Sequence, residues 1–127
     1  MFFSGPHLPL VSDPWIQEII AHDEGREQCG LYLPTEHRGK KLITLENKSA
    51  TPENSFLIIG DEIRMKLEGW YQTASSQELQ SVILWHTHPG GLIGPSREDM
   101  ALKIDGLYHL VITIVPGDRY GSIITFY

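Results

Sequence analysis

The sequence predicts an α/β or α+β domain, one curved mixed β-sheet flanked by helices. Apolar residues recur at helical spacing around Trp15–Ile20, Ile63–Ala74 and Met100–Leu107. Short alternating or continuous apolar runs lie between and after them. The resulting order is helix, two strands, helix, strand, helix, two strands. A chain of 127 residues, 41% hydrophobic, suits one domain spanning 1–127.

The first helix is signalled by Asp13 as cap, Pro14 at the first helical position and the apolar face Trp15, Ile16, Ile19 and Ile20. It is expected to end near Gly25. Two strands follow, Glu27 to Pro34 and Lys41 to Glu46, with a polar turn at Glu36-His-Arg-Gly39. After a loop holding Pro52, Ser55 to Ile59 is expected to add a short extended piece. A second helix runs from about Asp61, with Ile63, Leu67, Trp70 and Ala74 on one face, and the polar gap Ser75 to Glu78 ends it. Ser81-Val-Ile-Leu-Trp85 reads as a central strand. The third helix opens at Ser96, with Met100, Ile104 and Leu107 as its inner face. Strands Tyr108–Val115 and Gly121–Tyr127 close the chain around the turn Pro116-Gly-Asp-Arg119.

Composition narrows the function. The net charge is −6 and the pI about 5.4. Such a chain offers no basic stripe for phosphates, which argues against a nucleic-acid partner. It has no polybasic segment for an anionic membrane, and no run near the ~20 apolar residues that a membrane helix needs. The start, Met1-Phe-Phe-Ser-Gly-Pro-His7, does not read as a signal peptide. Cys29 stands alone, so no internal disulfide forms, which suits a reducing compartment and a cytoplasmic setting.

The chemistry concentrates in one stretch. His86 and His88 lie two apart at the end of a predicted strand, where both imidazoles share a face. Asp99 sits on the first turn of the next helix, beyond seven residues that include three glycines and two prolines. Two imidazoles and a carboxylate leave a fourth tetrahedral position for water, the pattern of a catalytic zinc. Glu27 is the candidate general base for that water. Ser96, three residues before Asp99, could donate to a developing oxyanion. Ordinary alternatives exist: Ser96 with Glu98 and Asp99 also fits a capped helix start, and Glu27 a solvated acid beside Arg26.

Taken together, His86-Thr-His88-Pro89, the seven residues that follow His88, and Ser96-Arg-Glu-Asp99 resemble the JAMM signature. Glu27-Gln-Cys29-Gly30-Leu-Tyr-Leu33 is similar to that family's upstream glutamate motif. Glu46-Asn47-Lys-Ser-Ala50, Pro52 and Phe56 are similar to its Asn…Pro…Phe stretch. The resemblance implies the MPN/JAB, cytidine-deaminase-like fold and one zinc per chain on His86, His88 and Asp99. It implies Glu27 as acid/base and Ser96 as support for the tetrahedral intermediate. It further implies hydrolysis of peptide or isopeptide bonds, often at the C-terminal tail of ubiquitin-like proteins. The compact form and His-Pro-Gly-Gly resemble bacterial and phage members, among them the N-terminal domain of phage tail assembly protein K, so a phage-encoded chain with a tail-assembly partner is one expectation. Two other readings stand beside the peptidase: an amidase on a small substrate such as a peptidoglycan fragment or amino-acid conjugate, and a non-catalytic MPN scaffold.

The remaining residues have plainer roles. Cys29 is expected as a small buried strand thiol. His7, His22 and His37 read as surface residues and His109 as a strand residue. Trp85 and Thr87 face away from the histidines, Trp15 and Trp70 belong to the core, and Gly90 and Gly91 shape the loop. Phe2-Phe3 and Phe126-Tyr127 could pack on the core or on a second copy, making a homodimer an expected candidate assembly.

Overall fold

A computed structural model describes residues 9–33, 41–58, 60–72 and 81–127. The expected turn at Glu36–Gly39, the polar gap Ser75–Glu78, and Phe2-Phe3, His7, His37, Ile59 and Ala74 lie outside them. Helix α1 (Pro14–Ala21) begins at the expected proline and buries Trp15, Ile16, Ile19 and Ile20. Asp13 is its cap residue, but the carboxylate does not cap the helix; it accepts from the Leu10 N–H at 3.0 Å. The Asp13 carbonyl takes the Ile16 and Gln17 amides. The helix stops at Ala21, short of Gly25, whose φ of 78° marks a turn that follows.

The strands are β1 (Cys29–Leu33), β2 (Lys41–Leu45), β3 (Ile83–His88), β4 (Tyr108–Val115) and β5 (Asp118–Phe126). They form a five-stranded mixed sheet in the order β2-β1-β3-β4-β5, antiparallel except for the parallel β3/β4 pair. β3 is buried along its whole length, as expected for a central strand with both faces covered. β4 and β5 are joined more tightly than expected. Val115 pairs with Asp118, so the turn is Pro116-Gly117, with Gly117 at φ 79°. Asp118 and Arg119 therefore belong to the strand.

Alternation divides the core. Ile83, Trp85, Leu110, Ile112 and Ile114 pack beneath α1. Cys29, Leu31, Leu33, Val82 and Leu84 pack on the other face with Phe56 and with Ile63 and Trp70 of α2 (Gly60–Tyr71). On the α1 face, Trp15 stacks flat on Tyr32 at 3.9 Å and 6°. Gly30 lies opposite Trp85 in the register, and a Cβ there would collide with the indole and the Ile43 carbonyl. Gly30→Ala is therefore expected to cost about 2–3 kcal/mol through overpacking. Urea unfolding measures this, and an unchanged midpoint would mean that both Trp85 and the Ile43 backbone can shift freely.

Between Ser55 and Ile58 no strand forms; the segment is tied to its neighbours instead, with Lys48 N–H donating to the Leu57 carbonyl at 2.8 Å. The third helix departs most from expectation. α3 spans only Arg97–Ala101, with Leu102 as its C-cap. Its buried side chain is Asp99, whereas Met100 and Ile104 are exposed and only Leu107 packs against the α2-side core. The acid's partners on β3, rather than an apolar stripe, set the rotation of this turn. It lies on the crossover that the parallel β3/β4 pair requires, so the chain leaves the sheet at His88 and returns at Tyr108.

Candidate metal centre

Strand alternation puts His86 and His88 on the α2 face of β3. The β1/β3 register pairs Cys29 with His86. It continues past the end of β1, where Thr87 N–H donates to the Gln28 carbonyl at 2.9 Å and Gln28 N–H to Thr87 Oγ1 at 2.8 Å. One residue further, Glu27 is carried opposite His88. Its backbone is held on both sides: its N–H donates to the Pro52 carbonyl at 2.6 Å, and its carbonyl accepts from Asn47 Nδ2 at 2.8 Å.

The loop after β3 does fold back. Gly91 and Gly94 adopt φ of 85° and 77°, a region open to glycine, and α3 starts beside the end of β3. Asp99 Oδ2 then lies 3.0 Å from His86 Nε2 and 3.1 Å from His88 Nε2, and the two nitrogens are 3.2 Å apart. Among the described residues, Glu27, His86, His88 and Asp99 offer ligand atoms all within 4.8 Å of one another, and all four are buried.

This set fits a metal ion. His88 Nδ1 faces the Leu92 carbonyl at 3.0 Å, so the neutral ring carries its proton there and presents the Nε2 lone pair to the cluster. Lone pairs of two imidazoles and a carboxylate at such separations repel unless a proton or a cation lies among them. In addition, Glu27 Oε1 is buried with no hydrogen-bond partner among the described residues. A bare buried carboxylate oxygen costs free energy, which an ion or its water would recover.

The electrostatics separate the four groups. Burial raises the Glu27 carboxyl from 4.5 to about 7, with Asp99 adding to the rise and His88 opposing it. Burial likewise disfavours charged His86 and, despite the Asp99 hydrogen bond, lowers its pKa. For His88, burial is outweighed by the bonds to Asp99 and the Leu92 carbonyl, and its pKa rises. Burial also works against ionised Asp99, but hydrogen bonds from His86, His88 and the Ser96 amide hold it well below the usual carboxylate range.

Ser96 meets its plainer expectation in full. Its Oγ accepts from the Asp99 N–H at 3.1 Å, and its own N–H donates to Asp99 Oδ2 at 2.8 Å, a capping box with aspartate at the third position. The cap and the histidines thus converge on one carboxylate oxygen. Cys29 is a buried thiol directed at the Leu45 carbonyl, and burial pushes its pKa up. His22 is exposed, whereas His109 is buried, with Nε2 against the Ile104 backbone.

Several neighbours surround the cluster at positions that local spacing does not announce. Phe56 stacks on His86 with ring centroids 4.2 Å apart, and Tyr127 meets the same ring edge-on at 6.1 Å. Thr113, opposite His88 in the register, donates to the Leu92 carbonyl at 2.8 Å. Asn47 was visible in its motif, but its task was not. Besides the Glu27 carbonyl, its amide reaches the Ser55 carbonyl, and its Oδ1 accepts from Ser49 and Leu57 at 3.0 Å each.

The model of the prokaryotic homologs of the JAB domain matches residues 12–123. The chain belongs to this family. No curated protein matches it. The mixed sheet and helices agree with the JAB/MPN fold, and the buried His-His-Asp-Glu group is compatible with a JAMM-like metal site. In this JAB domain the Asn…Pro…Phe stretch acquires a physical meaning: Asn47 and Pro52 pin the Glu27 backbone while Phe56 covers His86. Asn47→Ala is expected to cost roughly 2 kcal/mol and to weaken any Glu27-dependent hydrolysis by about tenfold or more, because the pinned carboxylate loosens. Full stability and full activity in that variant would show that Glu27 is held by other means. Among the described residues, no helix is long and apolar enough to cross a membrane.

Proposed function

We propose that this JAB domain is a zinc-dependent hydrolase cutting a peptide or isopeptide bond at the C-terminal tail of a ubiquitin-like protein or of a tail-assembly partner. The buried cluster of Glu27, His86, His88 and Asp99 carries this reading. His86, His88 and Asp99 would hold the ion, a three-ligand set of the catalytic kind. When bound, zinc supplies Lewis acidity toward a carbonyl oxygen and toward water.

The chain's own residues account for the rest. Glu27, with a carboxyl near neutrality and an oxygen unpartnered among the described residues, takes a proton from attacking water and returns it to the departing amine. Asp99 stays ionised and His88 is oriented by the Leu92 carbonyl, so the ligand set is ready before substrate arrives. The Ser96 oxygen accepts the helix cap, which leaves its O–H free to donate to an oxyanion. The lone buried Cys29 suits a cytoplasmic setting.

The test is a panel of ubiquitin-like fusions ending in Gly-Gly, set beside muropeptides, with zinc-loaded and chelator-treated protein. Zinc-dependent release of the Gly-Gly tails is expected. Cleavage of the small amides alone would move the function to amide hydrolysis. No cleavage, together with no uptake of offered zinc, would leave a scaffold.

A further inference from the structure

The loop between His88 and Ser96 is held more firmly than a connection requires. The Leu92 carbonyl receives two hydrogen bonds, from Thr113 Oγ1 at 2.8 Å and from His88 Nδ1 at 3.0 Å, and Thr113 is fully buried. Gly91, at φ 85°, lies against Pro116, so near that a Cβ would sit 3.2 Å from its ring. Gly94 is buried, also in the left-handed region. A backbone tied at these points cannot fold its side chains inward. Leu92 and Ile93 accordingly remain 61% and 62% exposed.

Single exposed apolar residues are ordinary on a surface. This pair is distinguished by its tether, because the carbonyl of one of them is bonded to the imidazole of His88. The backbone of the pair is therefore separated from the ligand atom of His88 by one imidazole ring. Two side chains are also far smaller than a protein–protein interface, which needs roughly 800 Å² per partner. A side chain of the bound peptide is the occupant of matching size.

We propose that Leu92 and Ile93 form a fixed apolar lip, held in place by Thr113, that receives an apolar substrate side chain beside the scissile amide. This rests on the peptidase reading of the site. Thr113 is a positioning residue: it acts through the Leu92 carbonyl on both the lip and His88.

Peptide pairs differing only in leucine or serine beside the scissile bond test the lip, together with Co²⁺ titration of each variant in the absence of substrate. The wild type is expected to prefer the leucine peptide by about tenfold or more in kcat/KM. Leu92→Ser with Ile93→Ser should bring that ratio close to one while the cobalt stoichiometry holds. Thr113→Val should lower both the preference and cobalt affinity, the latter about 10–100-fold, and Thr113→Ser should restore both. Cleavage of both peptides at equal rates by the wild type would overturn the lip and leave the peptidase intact. No cleavage of any peptide by metal-loaded protein would remove the peptidase reading and the lip with it. Unchanged preference and cobalt affinity in Thr113→Val would overturn the role of Thr113.

Discussion

Glu27→Gln is expected to keep the metal, lose hydrolysis by a factor of about 10²–10⁴, and stabilise the metal-free fold above neutral pH. The first two effects follow from its place beside the ligands, as a proton carrier whose amide replacement cannot take up a proton. The third follows from burial. The carboxyl titrates at about 7 in the fold, against 4.5 when exposed. Below pH 4.5 it is protonated in both states and costs nothing. Between 4.5 and about 7 the unfolded chain gives up the proton and the folded chain keeps it, so stability falls as pH rises. Above pH 7 the full penalty applies, about 3 kcal/mol at ~1.4 kcal/mol per pH unit. Glutamine removes it. Unfolding of chelated wild type and variant at pH 4.5 and 8 measures the difference; equal stabilities at pH 8 would contradict a carboxylate buried without a partner. A more stable variant at pH 8 would make the catalytic group one that the bare fold tolerates only at a cost.

His86→Ala is expected to abolish metal uptake and, with it, hydrolysis. The wild type should take up about one zinc per chain, and zinc at a thousand times its dissociation constant should stabilise the fold by about 4 kcal/mol. In the variant that increment should vanish, whereas the metal-free proteins should differ by the cavity left beside Phe56 and Tyr127 and by the lost hydrogen bond to Asp99 Oδ2. Uptake by the wild type should also depend on pH. Glu27 holds its proton up to about 7, and His88, favoured in its charged form by Asp99 and the Leu92 carbonyl despite burial, titrates above its ordinary value. Protons therefore compete with the ion, and affinity should fall as pH drops from 8 to 6. Asp99 takes no part in this competition, because it is ionised throughout. Zinc titrations at the two pH values decide the matter; retention of one tightly held ion in His86→Ala would show that the ligand set is misassigned.

The order of elements and the four clustered residues were legible because each rests on a local regularity. The two-residue period places His86 and His88 on one face. The glycines and prolines after His88 permit a fold-back, and Ser96 with Asp99 announces a helix start. Helical periodicity misleads over Met100–Leu107. There the apolar spacing suggested a longer helix, but the strongest partners of that turn are the imidazoles on β3, and they draw in Asp99 and leave Met100 in water.

The sequence by itself determined which groups can bind an ion and in what order the chain delivers them. Only the tertiary structure decided how those groups are held: Phe56 on His86, Asn47 on the Glu27 backbone, and Thr113 with His88 on one carbonyl oxygen. The reason is physical. Backbone periodicity is written within a few neighbouring residues, whereas all of these contacts but the one from His88 to Leu92 depend on strand register and loop closure, which join positions 20 or more apart, such as Asn47 to Glu27 and Thr113 to Leu92.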